Sequence, residues 1–422
     1  MPFVTIYQRF VSSIQMYRKL PAPVYSLMFA QSLSALGAFV DPFLTLVLTT
    51  SAGFLPSEVG WIIGMLGLFT MIGSVLGGWI SDAYSHRMVL LTGTAVTGLA
   101  YFCAGFVVHT NFLLFWIALA NTGIGMTRPA GSAITAEITP KDQRQISFSM
   151  IHMGVNLGFA LGPLIASLFV HTHPDWIFWG DGLTTLIGLG IITYGTRNLV
   201  YLTNENSSVE EQPTKDGLFV VLRNRPKILI YMVGSILFSL SYGQINFSLP
   251  LSLNSALGEE GASIFGIAMA TNGLFVLLWT PILTSIIWIR PMSALFATGI
   301  LYGMAFSAYY FIPDMLNWFP SIQYESLVAL IVFSTIIWTA GEVCSVSFGS
   351  VLLANESPSS HRGRINSSMM IIKHATRFIT PVFMGYVIEF FGFYSVWLIA
   401  GTASFLAAVL FMWGKKRFVE YS

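Results

Sequence analysis

Long apolar runs alternate with short polar breaks along nearly the whole chain. Twelve runs reach membrane-crossing length, at about 23–50, 58–80, 88–108, 112–136, 146–170, 176–195, 228–251, 263–287, 292–312, 327–353, 366–390 and 393–413. Each suffices for a helix of ~20 residues to cross a ~30 Å hydrocarbon core. The runs are too long for barrel strands and lack their strict alternation, which leaves helix as the spanning structure. The pattern predicts an all-α integral membrane protein with twelve transmembrane helices. One long polar stretch, about 196–227, divides them six and six. The predicted organisation is a cytoplasmic tail over 1–22, an N-terminal half over 23–195, a linker over 196–227 and a C-terminal half over 228–422. In the tail, Phe3, Tyr7, Phe10, Ile14 and Tyr17 share one helical face, which suggests an interfacial amphipathic helix.

The two halves repeat. Gly123, Gly131, Ser132, Pro140, Arg144 and Pro163 correspond without a gap to Gly341, Gly349, Ser350, Pro358, Arg362 and Pro381. Pro42 in the first run and Pro250 in the seventh fit a separate offset. Duplicated six-helix halves are the mark of a transporter whose site lies between the repeats, near the bilayer midplane.

Composition agrees with a bilayer protein: 55% of residues are hydrophobic and 9% charged. Charge placement adds orientation. Seventeen of the twenty Lys and Arg lie in loops or tails, all on one side of the predicted bundle, while the opposite loops hold only acids such as Asp175, Glu259, Glu260, Asp314 and Glu325. This positive-inside bias puts both termini in the cytoplasm, in a plasma (inner) membrane protein. The first run is long and lacks a small-residue cleavage site, so it reads as a retained helix. Cys103 and Cys344 give neither a disulfide framework nor a metal spacing. His171, His173 and Asp175 offer ligand chemistry in an outer loop without a defining spacing. No metal, cofactor or nucleic-acid partner is expected, no nucleotide-binding loop is present, and a monomer in the lipid bilayer is the expected state.

Six Asp, Glu, Lys or Arg residues fall well inside the runs, away from their ends: Asp41, Arg128, Asp181, Glu342, Lys373 and Arg377. Each costs about 2.5–3.5 kcal/mol at mid-membrane on insertion scales, so such residues mark pathways or sites. The repeat provides a control. Glu342, Lys373, Arg377 and Arg128 stand opposite Ile124, Val155, Phe159 and Val346, so the scaffold can be built without those charges. Glu342 suits a proton carrier, because burial favours its neutral form and a nearby cation its charged form. Asp41, next to Pro42, either shares that role or satisfies local donors. Lys373 and Arg377, four apart, share a helix face. They suit an anionic ligand, or they neutralise Glu342 and Asp41; the six charges sum to zero. Asp181 is read either as cavity lining or as structural. Gln244 and Asn156, with Gln31, His152 and Asn272, are candidate polar lining that would equally serve helix–helix hydrogen bonds.

Two motifs resemble the major facilitator superfamily. Gly78-Trp79-Ile80-Ser81-Asp82-Ala83-Tyr84-Ser85-His86-Arg87 is similar to its cytoplasmic signature in the Gly, the Asp and the last basic residue; Ala83, Ser85 and His86 depart from it. Gly154, Gly158, Gly162 and Pro163 resemble the helix-5 motif of drug:proton antiporters, with Ser149 at its first Gly position and the final Gly pair absent. The resemblance covers nearly the whole chain. It implies a cytoplasmic latch at Asp82 and a proton-carrying acid in the region of Glu342. The residues themselves add Gly78, Arg87, Glu137 and Arg144 to a cytoplasmic gate, Asp41 to proton coupling, and Arg128, Lys373, Arg377, Gln244, Asn156 and Asp181 to a small-molecule site. The glycine row reads most simply as a close helix-packing seam. The expected function is alternating-access, proton-coupled export of small amphipathic molecules. An organic-anion transporter is the alternative, for example one moving a carboxylate siderophore. A lipid-acting enzyme or a non-transporting sensor is the rival class, and nothing in the spacing supports catalysis.

Overall fold

The computed structural model describes residues 20–140, 143–197, 222–285, 290–314, 323–358 and 361–418. The expected helix over 3–19 and most of the linker lie outside the described residues. The described residues are helical with short connections: α1 Ala22–Leu36, α2 Val40–Thr50, α3 Pro56–Ala83, α4 His86–Ala104, α5 Phe112–Ile138, α6 Arg144–Ala166 and α7 Pro174–Gly195. There follow α8 Pro226–Tyr242, α9 Ser248–Leu257, α10 Glu259–Ser285, α11 Pro291–Ala308, α12 Gln323–Glu356 and α13 Arg362–Arg417. Among the described residues, nine helical stretches are long and apolar enough to cross a membrane. In α13, Gly392 has φ 73°, a conformation reserved in practice for glycine, and joins two helices end to end. Large apolar side chains face outward, among them Leu168 at 77% and Trp79 at 74% exposure, which an aqueous surface would not tolerate in such number.

Two of the predicted runs are interrupted. The first breaks between α1 and α2 at Gly37–Phe39, and the seventh between α8 and α9 at Gly243–Phe247. Both restart in the same register. Pro42 is the third residue of α2 and Pro250 the third of α9. A proline there gives up an N–H that has no intrahelical partner anyway, while its ring blocks a continuous helix from the preceding turn. Each break is closed differently. The Val40 N–H donates to Asp181 Oδ2 at 3.4 Å. At the other break the Gln244 side chain donates to Leu240 O at 2.7 Å and accepts from Ser248 Oγ at 2.6 Å. Gln244 is wholly buried and Asp181 6% exposed, and each places a polar atom on the backbone of an interrupted helix.

The described residues cluster into two compact units: Met1–Val40, Phe69–Gly162 and Thr172–Ser207 form the first, and Asp41–Leu68, Pro163–His171 and Ser208–Ser422 the second. In the first, α1, α4, α5, α6 and α7 bury an aliphatic core that includes Leu27, Val89, Ile134, Ile151 and Ile192. The glycine row of α6 lies directly on α1. A Cβ at Gly158 would stand 2.5 Å from Ser32 O and 2.7 Å from Leu36 N, and one at Gly162 2.6 Å from Leu36 O. The seam read from the sequence is therefore a backbone-to-backbone contact with the helix that breaks at Gly37.

The core of the second unit is aromatic. Tyr302, Phe306, Tyr309 and Trp397 form a chain of ring contacts with centroids 5.0–6.2 Å apart. Trp338 Nε1 donates to Tyr309 Oη at 3.1 Å, so the buried indole and phenol are both satisfied. In this unit the first half of α3 packs against α13. A Cβ at Gly60 would strike the Pro381 carbonyl oxygen, one at Gly64 would stand 3.0 Å from Phe378 O, and one at Gly385 2.5 Å from Pro56 O. Trp61 Nε1 donates to Tyr386 Oη at 3.2 Å across the same contact.

Candidate functional site

The polar centre of the second unit grows from the two interruptions. Tyr242 is the last residue of α8, just before the second break. Its hydroxyl donates to Glu342 Oε1 at 2.8 Å. Asn272 Nδ2, from α10, donates to Glu342 Oε2 at 2.8 Å and reaches Thr339 Oγ1 at 3.1 Å. Four helices thus converge on one carboxylate, with the Tyr302 ring of α11 6.1 Å from that of Tyr242 and the Trp338 ring 5.9 Å from it. Tyr302 and Trp338 are almost fully buried and form a dry wall, whereas Tyr242 stays 37% exposed. Both carboxylate oxygens face donors, the arrangement an ionised Glu requires, since that form only accepts.

Asp41 lies in the first turn of α2, where a negative charge suits the helix N-terminus. Arg377 Nη2 stands 3.8 Å from Asp41 Oδ1. With the two side chains 47% and 57% exposed, such a pair is worth on the order of 0–1 kcal/mol in water, so it sets local charge more than stability. A Cβ at Gly243, next to Tyr242, would stand 3.0 Å from Thr380 Cγ2 on α13, less than one turn beyond Arg377. Thr45 Oγ1 of α2 donates to Asn246 O within the second break at 3.0 Å. Asp41, Arg377, Tyr242 and Glu342 therefore belong to one neighbourhood, beside two broken helices.

The remaining predicted residues are placed elsewhere. Lys373 is exposed one turn before Arg377 on α13 and lines a cavity between α12 and α13. Arg128 is exposed on α5 in the first unit, ahead of Pro129. Asn156 Nδ2 meets His152 Nδ1 at 2.7 Å on α6, so these two share one polar spot. Pro163, at the end of the glycine row, presents its carbonyl to α10, where a Cβ at Gly266 would stand 3.1 Å from it.

Of the gate residues, Arg87 donates through Nε to Thr196 Oγ1 at 2.9 Å and through Nη2 to Thr193 O at 3.4 Å, pinning the start of α4 to the end of α7. Glu137 takes His86 Nδ1 at 2.7 Å. Arg144 Nε is buried without a hydrogen-bond partner among the described residues. Gly78 faces open space. The Asp82 side chain lies outside the described set. Among the described residues no three His, Cys, Asp or Glu side chains gather as a metal site, and His173 stacks on Trp176 with centroids 4.7 Å apart. Outside the spans, burial pushes the His171 imidazole below its usual range, opposed by the Glu259 charge.

Sequence reading did not single out Tyr242, Tyr302 or Trp338. The one available signal was the Tyr242-Gly243 step ahead of Pro250, and it gives no hint that the phenol reaches a residue a hundred positions on.

Known proteins resemble this chain in both sequence and fold. The profile of the Major Facilitator Superfamily matches residues 27–347. A Na(+), Li(+), K(+)/H(+) antiporter of Planococcus maritimus is 22% identical over 406 residues, 89% of this chain and 91% of that protein. Multidrug resistance protein MdtH of Yersinia pestis is 25% identical over 241 residues, 56% of this chain and 58% of MdtH. Among solved structures, a POT family transporter in complex with 5-aminolevulinic acid superposes with TM-score 0.74 at 16% identity, covering 96% of this chain and 100% of that one. The nucleoside transporter NupG gives TM-score 0.71 at 16% identity, over 92% and 99%.

Proposed function

The chain belongs to the major facilitator superfamily, and on that premise we propose that it is a proton-coupled antiporter that exports small amphipathic molecules by alternating access. The observation that carries this reading is Glu342. It is a carboxylate within an apolar helix, held by one phenol and one amide, with the phenol at the mouth of a broken helix. Protonation adds a donor to a carboxylate that accepts from Tyr242 Oη and Asn272 Nδ2. Either Tyr242 must turn its O–H away or Asn272 must present its other face. Proton binding thereby changes the contact between α12 and the end of α8, where the chain is already interrupted. The antiporter and multidrug relatives support the direction of this reading, and the repeat supports twelve crossings in two six-helix halves.

The broken helices fit the same picture. Paired interruptions in corresponding segments of two repeats point to the transport site. On the charge bias of the loops, both termini are cytoplasmic and the Gly60 end of α3 is extracellular. The α3–α13 contact is then a closed outer gate.

The reading is tested with purified protein in liposomes. An imposed pH gradient, acid outside the proton-accepting face, should drive accumulation of at least one lipophilic cation from a panel, and a protonophore should abolish it. Proton movement evoked by no member of a panel of organic cations and alkali-metal ions would defeat the proposal. Orientation has its own check. Single cysteines at Glu260 and Lys215 should react with a membrane-impermeant maleimide from opposite sides, with Lys215 cytoplasmic.

A further inference from the structure

Lys373 differs from the other charges in the apolar helices. Asp41 and Arg377 hold each other, Glu342 has Tyr242 and Asn272, and Asp181 takes the Val40 amide. Among the described residues no carboxylate pairs with Lys373. Lys373 lines a cavity of about 510 Å³ whose described walls come from α12, from Ser357 just after it, and from α13. Ser350, Ser357 and Asn366 give that cavity neutral polar groups, and Leu353, Met369 and Met370 give it apolar surface. Pockets of roughly 300–1,000 Å³ suit small organic ligands. Glu356, which precedes the cavity residue Ser357, is already taken by Lys227 at 2.9 Å and Arg225 at 3.9 Å. Among the described residues the cavity lining holds one cation and no carboxylate. The scaffold does not need the cation, because the matching position in the other half is Val155.

We propose that this cavity binds the anionic head of an amphipathic molecule, a carboxylate or a phosphate. Lys373 is its charge partner, Ser350 and Asn366 are neutral hydrogen-bonding groups, and the Met–Leu wall lies against its tail. Arg377 is not part of this site, since it is engaged with Asp41. The site is separate from proton coupling at Glu342 and stands if that reading fails. Phospholipid headgroups and dissolved organic anions share this chemistry.

The test uses the full chain purified in a neutral maltoside detergent, with binding of dodecyl phosphate and of dodecyltrimethylammonium measured by microscale thermophoresis. Dodecyl phosphate should bind Lys373→Gln about tenfold more weakly than the unaltered protein, a loss of about 1.4 kcal/mol. Lys373→Arg should keep most of the affinity. Ala354→Leu, which fills the cavity and leaves every charge in place, should also lose it. The ammonium probe should respond to none of these changes. Two competition arms separate the sources. Displacement of dodecyl phosphate by phosphatidylglycerol, with decanoate inert, assigns the site to lipid; the reverse assigns it to a dissolved anion. Equal binding of dodecyl phosphate by Lys373→Gln and the unaltered protein overturns the proposal. So does a parallel loss of both probes, or no binding of dodecyl phosphate at all.

Discussion

Glu342→Gln is expected to abolish transport driven by a pH gradient while leaving ligand binding largely intact. Gln has the shape of a protonated Glu and cannot take up or release a proton. The substitution also keeps most of the local structure. Tyr242 can still donate to the retained oxygen, at the place where it now meets Oε1 at 2.8 Å. The new amide faces the Asn272 Nδ2 donor, so Asn272 must turn over and give up its 3.1 Å bond to Thr339 Oγ1. That exchange costs about 0.5–1.5 kcal/mol, the net worth of one neutral hydrogen bond, and should lower the melting temperature by a few degrees at most. Accumulation in liposomes under an imposed gradient and equilibrium binding to detergent-purified protein separate the two effects. A mutant that accumulates substrate at the unaltered rate would remove Glu342 from coupling. A mutant that loses binding as well would make it a ligand contact.

Gly60→Val is expected to open the α3–α13 contact. The added Cβ meets the Pro381 carbonyl oxygen, and its next neighbours are Pro381 C at 3.0 Å and Val382 Cα at 3.2 Å. All three are backbone atoms, so no side-chain rotation relieves the overlap. Overpacking of this kind typically costs about 1–3 kcal/mol. In a protein with two states, that cost falls on the state that holds the contact and shifts the population away from it. Ser57, buried beside Gly385 in the same contact, reports the opening. In a background without Cys103 and Cys344, Ser57→Cys should react slowly with an impermeant maleimide. Adding Gly60→Val should speed the reaction by about tenfold or more, the equivalent of at least about 1.4 kcal/mol. Gly190→Ala provides the control, because nothing stands within 4 Å of a Cβ there. Unchanged labelling in the Gly60 variant would mean that the contact is not a gate.

Several features were legible in the chain because they depend on local periodicity and on solvent. The apolar runs fall on helices because a segment in hydrocarbon must satisfy its own backbone. The two interruptions are not legible in the chain: Pro42 and Pro250 match as repeat positions, while the runs around them read as continuous helices. The helix-packing role of Gly154, Gly158 and Gly162 also follows from spacing, although their partner, α1, does not. Gln244 and Asp181 show the limit of such reading. Both were candidate cavity lining; Gln244 bonds Leu240 O and the Ser248 hydroxyl within one broken helix, and Asp181 accepts from the Val40 amide of the other. A polar residue in an apolar run announces only that it needs a partner. Whether that partner is a neighbour's carbonyl or a ligand depends on which helix lies opposite.

The helical class, the superfamily and the presence of unusual charges in apolar segments could be read from the chain alone. Each of these is set by chemistry within one or two turns of the chain. Only the tertiary structure decided how those charges are used. It brought Arg377 to Asp41, placed Tyr242 and Asn272 on Glu342, and left Lys373 beside a cavity. The physical reason is distance along the chain. Glu342 is held by residues 100 and 70 positions away, and Arg377 meets an acid in the first interrupted helix. An ion pair or hydrogen bond is fixed within about 3–4 Å of space, and helix periodicity gives each side chain a face without naming what that face will meet.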